Sequence, residues 1–216
     1  IKFRPFLVKE EKVLLMALES ESDDNIRNAV LQLLKGCISS RIKLENLATF
    51  DLEYIFLNIR AVSVGEVVEI NVTCQDDEKT QVKYSLNLTN VQVNFPDGHS
   101  NKIMLTDDTG VMMKYPSFDR FVENQFQQKE VNEDTVIEII GESIDQIFQG
   151  EEVFDSSTTT PKEFIQFVES LTNAQLEKLQ EFFETSPRLE HKFTVKNPKT
   201  DVESEYTISG LASFFG

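Results

Sequence analysis

The sequence predicts an α+β fold: N-terminal helices, central antiparallel β hairpins, a C-terminal helical hairpin and a closing β-hairpin. Three observations predict it. Apolar residues recur at helical spacing between residues 26 and 38, they alternate with polar residues after Gly65, and two helix-capping boxes stand one after the other at Thr160 and Thr172.

Residues 1–8 place Pro5 between Phe3 and Phe6 and read as an extended arm. From Lys9 to Ser20 the pattern is helical, with Val13, Leu14, Ala17 and Leu18 on one face. Ser22, followed by Asp23 and Asp24, opens a second helix, because acids favour the positive end of the helix dipole. Its stripe of Ile26, Ala29, Val30, Leu33, Leu34, Cys37 and Ile38 makes Cys37 a small core residue. A third helix begins near Asp51, buries Leu52, Ile55, Phe56 and Ile59, and ends at Val64 and Gly65.

Beyond Gly65 the period falls to two. Val68, Ile70, Val72 and Cys74 alternate with polar residues, as do Val82, Tyr84, Leu86 and Leu88, and the polar stretch 75–81 joins the two strands into a hairpin. A third strand, residues 91–95, stops at Pro96-Asp97-Gly98, and a second hairpin pairs residues 102–106 with 111–115 around Asp107-Asp108-Thr109-Gly110.

Helix then returns. Ser117 caps a segment with Phe118, Phe121, Val122 and Phe126, and Asn132 caps another carrying Val136, Ile140, Ile144, Ile147 and Phe148. Residues 150–159 read as a polar linker. Thr160-Pro161-Lys162-Glu163 joins a capping box to a proline at the first helical position, ahead of Phe164, Phe167, Val168 and Leu171. Thr172-Asn173-Ala174-Gln175 opens the next helix, with Leu176, Leu179, Phe182 and Phe183 on one face, and Pro187 stops it. Two helices joined this tightly form an αα-hairpin. In the closing hairpin His191, Phe193 and Val195 alternate, Asn197-Pro198-Lys199-Thr200 turns, and Ser204, Tyr206 and Ile208 alternate back.

The pattern divides the chain into an N-terminal helical region (1–65), an antiparallel β region (66–115), an acidic helical region (116–190) and a closing β-hairpin with its tail (191–216). The two β regions are expected to be separate or loosely joined. One internal echo aligns residues 82–91 with 202–211, a match that chance and duplication explain about equally well.

Composition narrows the function classes. A hydrophobic content of 40% and a charged content of 27% place the 216 residues among globular chains. Seventeen Phe and no Trp imply a core packed largely by phenyl rings. Two cysteines supply no disulfide framework, which suits a reducing compartment. The sequons at Asn71 and Asn87 read as strand residues. No signal peptide is expected, and the apolar run 13–18 falls far short of the ~20 residues of a bilayer span. Residues 121–190 hold 16 acids against 4 bases, most of the net charge of −16, and would repel phosphate backbones. The expectation is no nucleic acid, no membrane and no small-molecule substrate. A solvated helical face accounts for the acids more simply than a docking surface.

Catalytic and ligand sites are not written in the residues. Cys37, Cys74, His99 and His191 are isolated, whereas zinc ligands usually come in close pairs. His99 and His191 read as surface histidines. No nucleophile stands beside a base, and eight scattered glycines form no phosphate-cradling loop. The expectation is therefore a non-enzyme without metal or cofactor.

Three stretches carry a resemblance. Phe3-Arg4-Pro5-Phe6 leads into residues 9–17, the middle reads Leu52-Glu53-Tyr54-Ile55-Phe56-Leu57-Asn58-Ile59-Arg60 and runs on to Glu66, and His191-Lys192-Phe193 precedes Gly210-Leu211 and Phe214-Phe215. In this order they resemble the baseplate hub proteins of T-even-like contractile-tailed phages, a family of hub subunits and a hub assembly factor. The resemblance spans nearly the whole chain, and its middle stretch is the most specific. It implies no enzymatic activity. It implies protein partners among other hub or wedge components, met in the host bacterial cytoplasm during assembly, and leaves open whether the chain stays in the virion tail baseplate. Some relatives are expected to carry paired cysteines at the hairpin tips, like a zinc ribbon. Cys74 stands alone here, so no metal is carried over. A non-enzymatic acidic adaptor unrelated to phage tails is the alternative.

Phe3, Pro5 and Phe6 at one end and Phe214 and Phe215 at the other are the candidate partner-binding residues. A phenyl ring left in water forgoes ~1.5–3 kcal/mol of burial, so each end either latches onto the core or fills a pocket on a partner.

Overall fold

A computed structural model describes residues 1–20, 22–122 and 133–210 and shows the α+β fold that the sequence predicts. The chain forms two compact units: residues 1–94, 118–128 and 188–216 make the first, and residues 95–117 and 129–187 the second.

The first unit begins with α1 (Val8–Glu19), α2 (Asp23–Cys37) and α3 (Thr49–Val64). The side chain of Ser22 caps α2 by accepting from the Asn25 N–H. The stripe read from the sequence is buried: Val30, Leu34 and Cys37 are fully enclosed, with Leu52, Leu57 and Ile59 of α3 in the same core. The short helix α4 (Phe118–Val122) adds Phe118, Phe121 and Val122 to it. Gly65 ends α3 with a positive φ of 142°, a conformation open mainly to glycine.

Strands β1 (Val67–Thr73) and β2 (Gln81–Asn87) form the expected hairpin. Strand β3 (Gln92–Asn94) does not stay with it. It pairs with β8 (Arg188–Lys196), which pairs in turn with β9 (Glu203–Ser209). The central and closing β regions thus share a sheet through β3, where the sequence led to regions separate or loosely joined. The cause lies in burial: Leu189 of β8 enters the helical core beside Val91, and the ladder satisfies the backbone groups that this burial desolvates.

The two hairpins also meet face to face. Ile70 and Val72 of β1 pack with Phe193 and Val195 of β8, and the rings of Tyr84 and Phe193 stack with centroids 4.1 Å apart. Their turns close alike. The Cys74 N–H donates to the Thr80 carbonyl and the Glu78 N–H to that of Cys74, while the Asn197 N–H donates to Val202 and the Asp201 N–H to Asn197. Glu78 and Asp201, each four residues into its turn, have positive φ values of 53° and 65°. Matching the turns pairs Tyr84 with Tyr206, two residues out of step with the echo read from the sequence.

The second unit is a four-stranded antiparallel sheet, order β4-β5-β6-β7, with helices on one face. Its strands are β4 (Lys102–Met104), β5 (Thr109–Met113), β6 (Ile144–Gln149) and β7 (Glu152–Asp155). Helix α5 (Glu133–Glu142) stops before Ile144, so the predicted helix through residue 148 and the linker at 150–159 are corrected to helix, strand, turn and strand. Ile140, Ile144 and Ile147 fit a helical stripe, but pairing of Ile147 with Val111 in the sheet outweighs it. The predicted cap Asn132, like Phe126, lies outside the described residues. Helices α6 (Pro161–Glu169) and α7 (Asn173–Glu184) form the αα-hairpin, and both capping boxes carry their reciprocal hydrogen bonds. Phe164, Val168, Leu179 and Phe182 pack with Val111, Ile144 and Ile147 of the sheet. Gly141 lets α5 approach α6, since a Cβ there would fall 2.8 Å from Ile165 Cγ1.

Candidate functional site

The N-terminal arm is tied down by its backbone. Phe3 forms an antiparallel bridge with Ile38, the Arg4 N–H donates to the Cys37 carbonyl at 2.9 Å, and the Ser39 N–H donates to that of Lys2 at 2.8 Å. The Phe6 N–H donates to the Ser63 hydroxyl at 3.0 Å, and its ring packs against the helical core. Phe3 and Pro5 remain exposed. Phe214 and Phe215, the candidates at the other end, lie outside the described residues.

Glu10 joins the arm to α1. Its carboxylate accepts from Arg4 Nη2 and Nη1 at 2.7 and 3.0 Å and from the Leu7 N–H at 2.7 Å. Those bonds, the guanidinium first and the amide second, hold its pKa down to about 2. Gly36 makes room for this clamp: a Cβ there would sit 2.8 Å from Glu10 Oε1. The only hint in the sequence is a Glu three residues after Leu7, half of a capping box.

Past the clamp, α1 turns apolar side chains both ways. Leu14 and Ala17 are buried, while Val8, Val13, Leu15 and Met16 are exposed, Val8 by 81%. Val13, Met16 and Ala17 face Asn25, Ala29 and Gln32 of α2 across an open groove of about 310 Å³. Its walls are amide and apolar side chains with one hydroxyl, that of Ser20, which donates to the Ala17 carbonyl; no base lines the groove to activate it, so the groove suits contact and not chemistry.

The paired hairpin tips hold a polar network. Asn197, 1% exposed, donates from Nδ2 to both carboxylate oxygens of Asp76 at 3.0 Å and accepts from the Lys199 N–H at 2.9 Å. The Thr200 hydroxyl also donates to Asp76, and Asp77 accepts from the backbone and hydroxyl of Thr80. These donors, Thr200 for Asp76 and Thr80 for Asp77, hold both carboxyls below their ordinary range. Burial pushes the Cys74 thiol up. Among the described residues no three His, Cys, Asp or Glu side chains gather as metal ligands.

Neither histidine is the surface residue that the sequence suggested. His99, half-buried, sits in a ring cluster with Tyr115 and Phe182. Its Nδ1 is 2.9 Å from the Thr185 hydroxyl and its Nε2 2.9 Å from that of Tyr115. The Thr185 hydroxyl donates to the Glu181 carbonyl, so Nδ1 carries the proton toward Thr185 and Nε2 accepts from Tyr115. Burial favours this neutral form and lowers the pKa. His191 lies half-buried against Phe193, with Tyr84 Oη 3.4 Å from its Nε2.

Among the described residues no helix is long and apolar enough to cross a membrane. A family model described as "T4 bacteriophage base plate protein" matches residues 1–216. No curated protein and no solved structure matches the chain.

Proposed function

The chain belongs to the T4 bacteriophage base plate protein family, and from that premise we propose that it is a baseplate hub protein. It serves as a structural subunit or assembly factor that binds other hub or wedge proteins during tail morphogenesis in the host bacterial cytoplasm. Family membership is that of a phage baseplate structural protein and sets aside the alternative of an adaptor unrelated to phage tails. No step of catalysis enters the reading.

The observation that carries it is α1. A twelve-residue helix that leaves Val8, Val13, Leu15 and Met16 exposed, with Val13 and Met16 lining the groove against α2, presents an anchor surface on a regular element. The arm that precedes α1 adds the exposed Phe3 and Pro5, with Phe6 holding the arm in place. Co-expression with each hub and wedge protein of the same phage tests the reading. A stable complex with a hub protein that Leu15→Glu or Met16→Glu abolishes, without lowering the melting temperature, is expected. Complexes with wedge proteins alone would move the chain out of the hub, and no complex with either would end the proposal.

A further inference from the structure

The sheet of the second unit has two unlike faces. Ile103, Val111, Ile147 and Phe154 form one row across the four strands, and Ile103, Val111 and Ile147 pack in the core with α6 and α7. The opposite face carries the rows Met104–Gly110–Phe148–Val153 and Lys102–Met112–Gln146–Asp155. An antiparallel sheet covered on one side normally shows water a polar second face. Here Met104 and Val153 are 42% and 54% exposed, and Phe148 and Met112 are half-buried between them. Gly110 makes the strip continuous. A Cβ there would press into the Phe148 ring and fall 2.7 Å from the Ile103 carbonyl, so its absence lets that ring lie across the strand. At the usual strand spacing the strip runs about 14 Å across the sheet.

Charge borders the strip. The β4–β5 and β6–β7 turns meet at one end of the sheet, where the Gly150 N–H donates to the Asp108 carbonyl at 2.9 Å. Asp107, Asp108, Glu151 and Glu152 therefore cluster beside the Met104–Val153 row, all exposed. On the strip itself the single base, Lys102, is already placed 5.0 Å from the Phe148 ring centroid. The whole unit holds 17 acids and 5 bases, a net charge of −12.

We propose that this open sheet face is a second docking surface, for a baseplate protein whose matching patch is apolar at its centre and rimmed with Lys and Arg. The inference rests on the baseplate reading and adds to it the surface and the partner's chemistry. An apolar centre within a charged rim is the anatomy of specific interfaces. Charge selects the occupant, since a second copy would bring another −12 and the same four carboxylates, and a nucleic acid would bring phosphates.

Isothermal titration of the full chain against each other baseplate protein of the same phage, at 50 and 500 mM NaCl, provides the test. A basic partner is expected, bound at least ~10-fold more weakly at the higher salt. Val153→Glu and Met104→Glu should each weaken it at least ~10-fold with the melting temperature unchanged, and Glu151→Lys should weaken it as well. Met16→Glu on α1 should leave this affinity intact. Binding that survives both sheet variants, a partner without basic character, or self-association lost with Val153→Glu would overturn the inference while leaving the baseplate reading in place. If no baseplate protein binds the unaltered chain, both fall.

Discussion

Replacing Asn197 with alanine tests whether the hairpin tips are locked together by one amide. The side chain is 1% exposed, so water replaces its bonds poorly. It donates to a carboxylate, Asp76, at 3.0 Å and accepts from the Lys199 N–H at 2.9 Å. A bond to an ionised group contributes roughly 1.5–3 kcal/mol and a neutral one roughly 0.5–1.5. The exposed side of Asp76 argues for the low end of the first range, giving about 2–3 kcal/mol in all. For a chain of this size that is a fall of about 5–10 °C in melting temperature. Urea denaturation followed by circular dichroism reads the change directly, with the slope preserved if only stability is altered. Asn197→Asp sharpens the test: it keeps the acceptor for Lys199 and sets a second carboxylate against Asp76. It should cost more than alanine at pH 7 and recover as acid protonates one of the pair. A loss below ~0.5 kcal/mol for alanine, or no penalty for aspartate, would refute the lock.

Three further outcomes are expected. Glu10 titrates near 2 in the folded chain, against an unfolded value of 4.5, so its contribution is complete above pH 4.5 and is lost as pH falls toward 2. Glu10→Gln should flatten that part of the acid melting profile, and an unchanged profile would dismiss the Arg4–Glu10 clamp. His99 has a folded pKa below 6.5, so the unfolded chain binds more protons and stability should fall as pH drops through about 6.5. His99→Gln should abolish that slope, as read by thermal melts between pH 5 and 8. Removing residues 211–216 should lower the melting temperature if the tail is a latch. Normal melting with lost hub binding would make it an anchor, and normal melting with normal assembly would rule out both.

Legibility in the sequence followed the range of the forces involved. Capping is local, and Thr160 with Glu163 and Thr172 with Gln175 are found as written. The α2 stripe is legible for the same reason: seven apolar residues at one spacing leave a single face to bury. Strand β6 was not legible, because Ile140, Ile144 and Ile147 satisfy a helical period and only the β5 ladder decides against it. The β3–β8 pairing joins segments some ninety residues apart, with no shared pattern to announce it. At the candidate site the exposed apolar residues Phe3 and Pro5 could be singled out from their place in the sequence. The exposed faces of α1 and of the β4–β7 sheet could not, since Val13 reads as core and Val153 as part of a polar linker until the packing shows which side is covered.

The interrupted course of the first unit sets a timetable on its folding. Strand β3 leaves the ribosome about ninety residues before β8, the strand that completes its ladder. At translation rates of about 5–20 residues per second it waits for roughly 5–20 s. Throughout that interval Val91 and the α2–α3 core lack Leu189, whereas all the pieces of the second unit emerge within the gap. The second unit is thus free to finish while the first is still open along an apolar edge. Slowing synthesis across residues 95–187 should lengthen that exposure and raise the demand for chaperones, without altering a single contact of the finished protein.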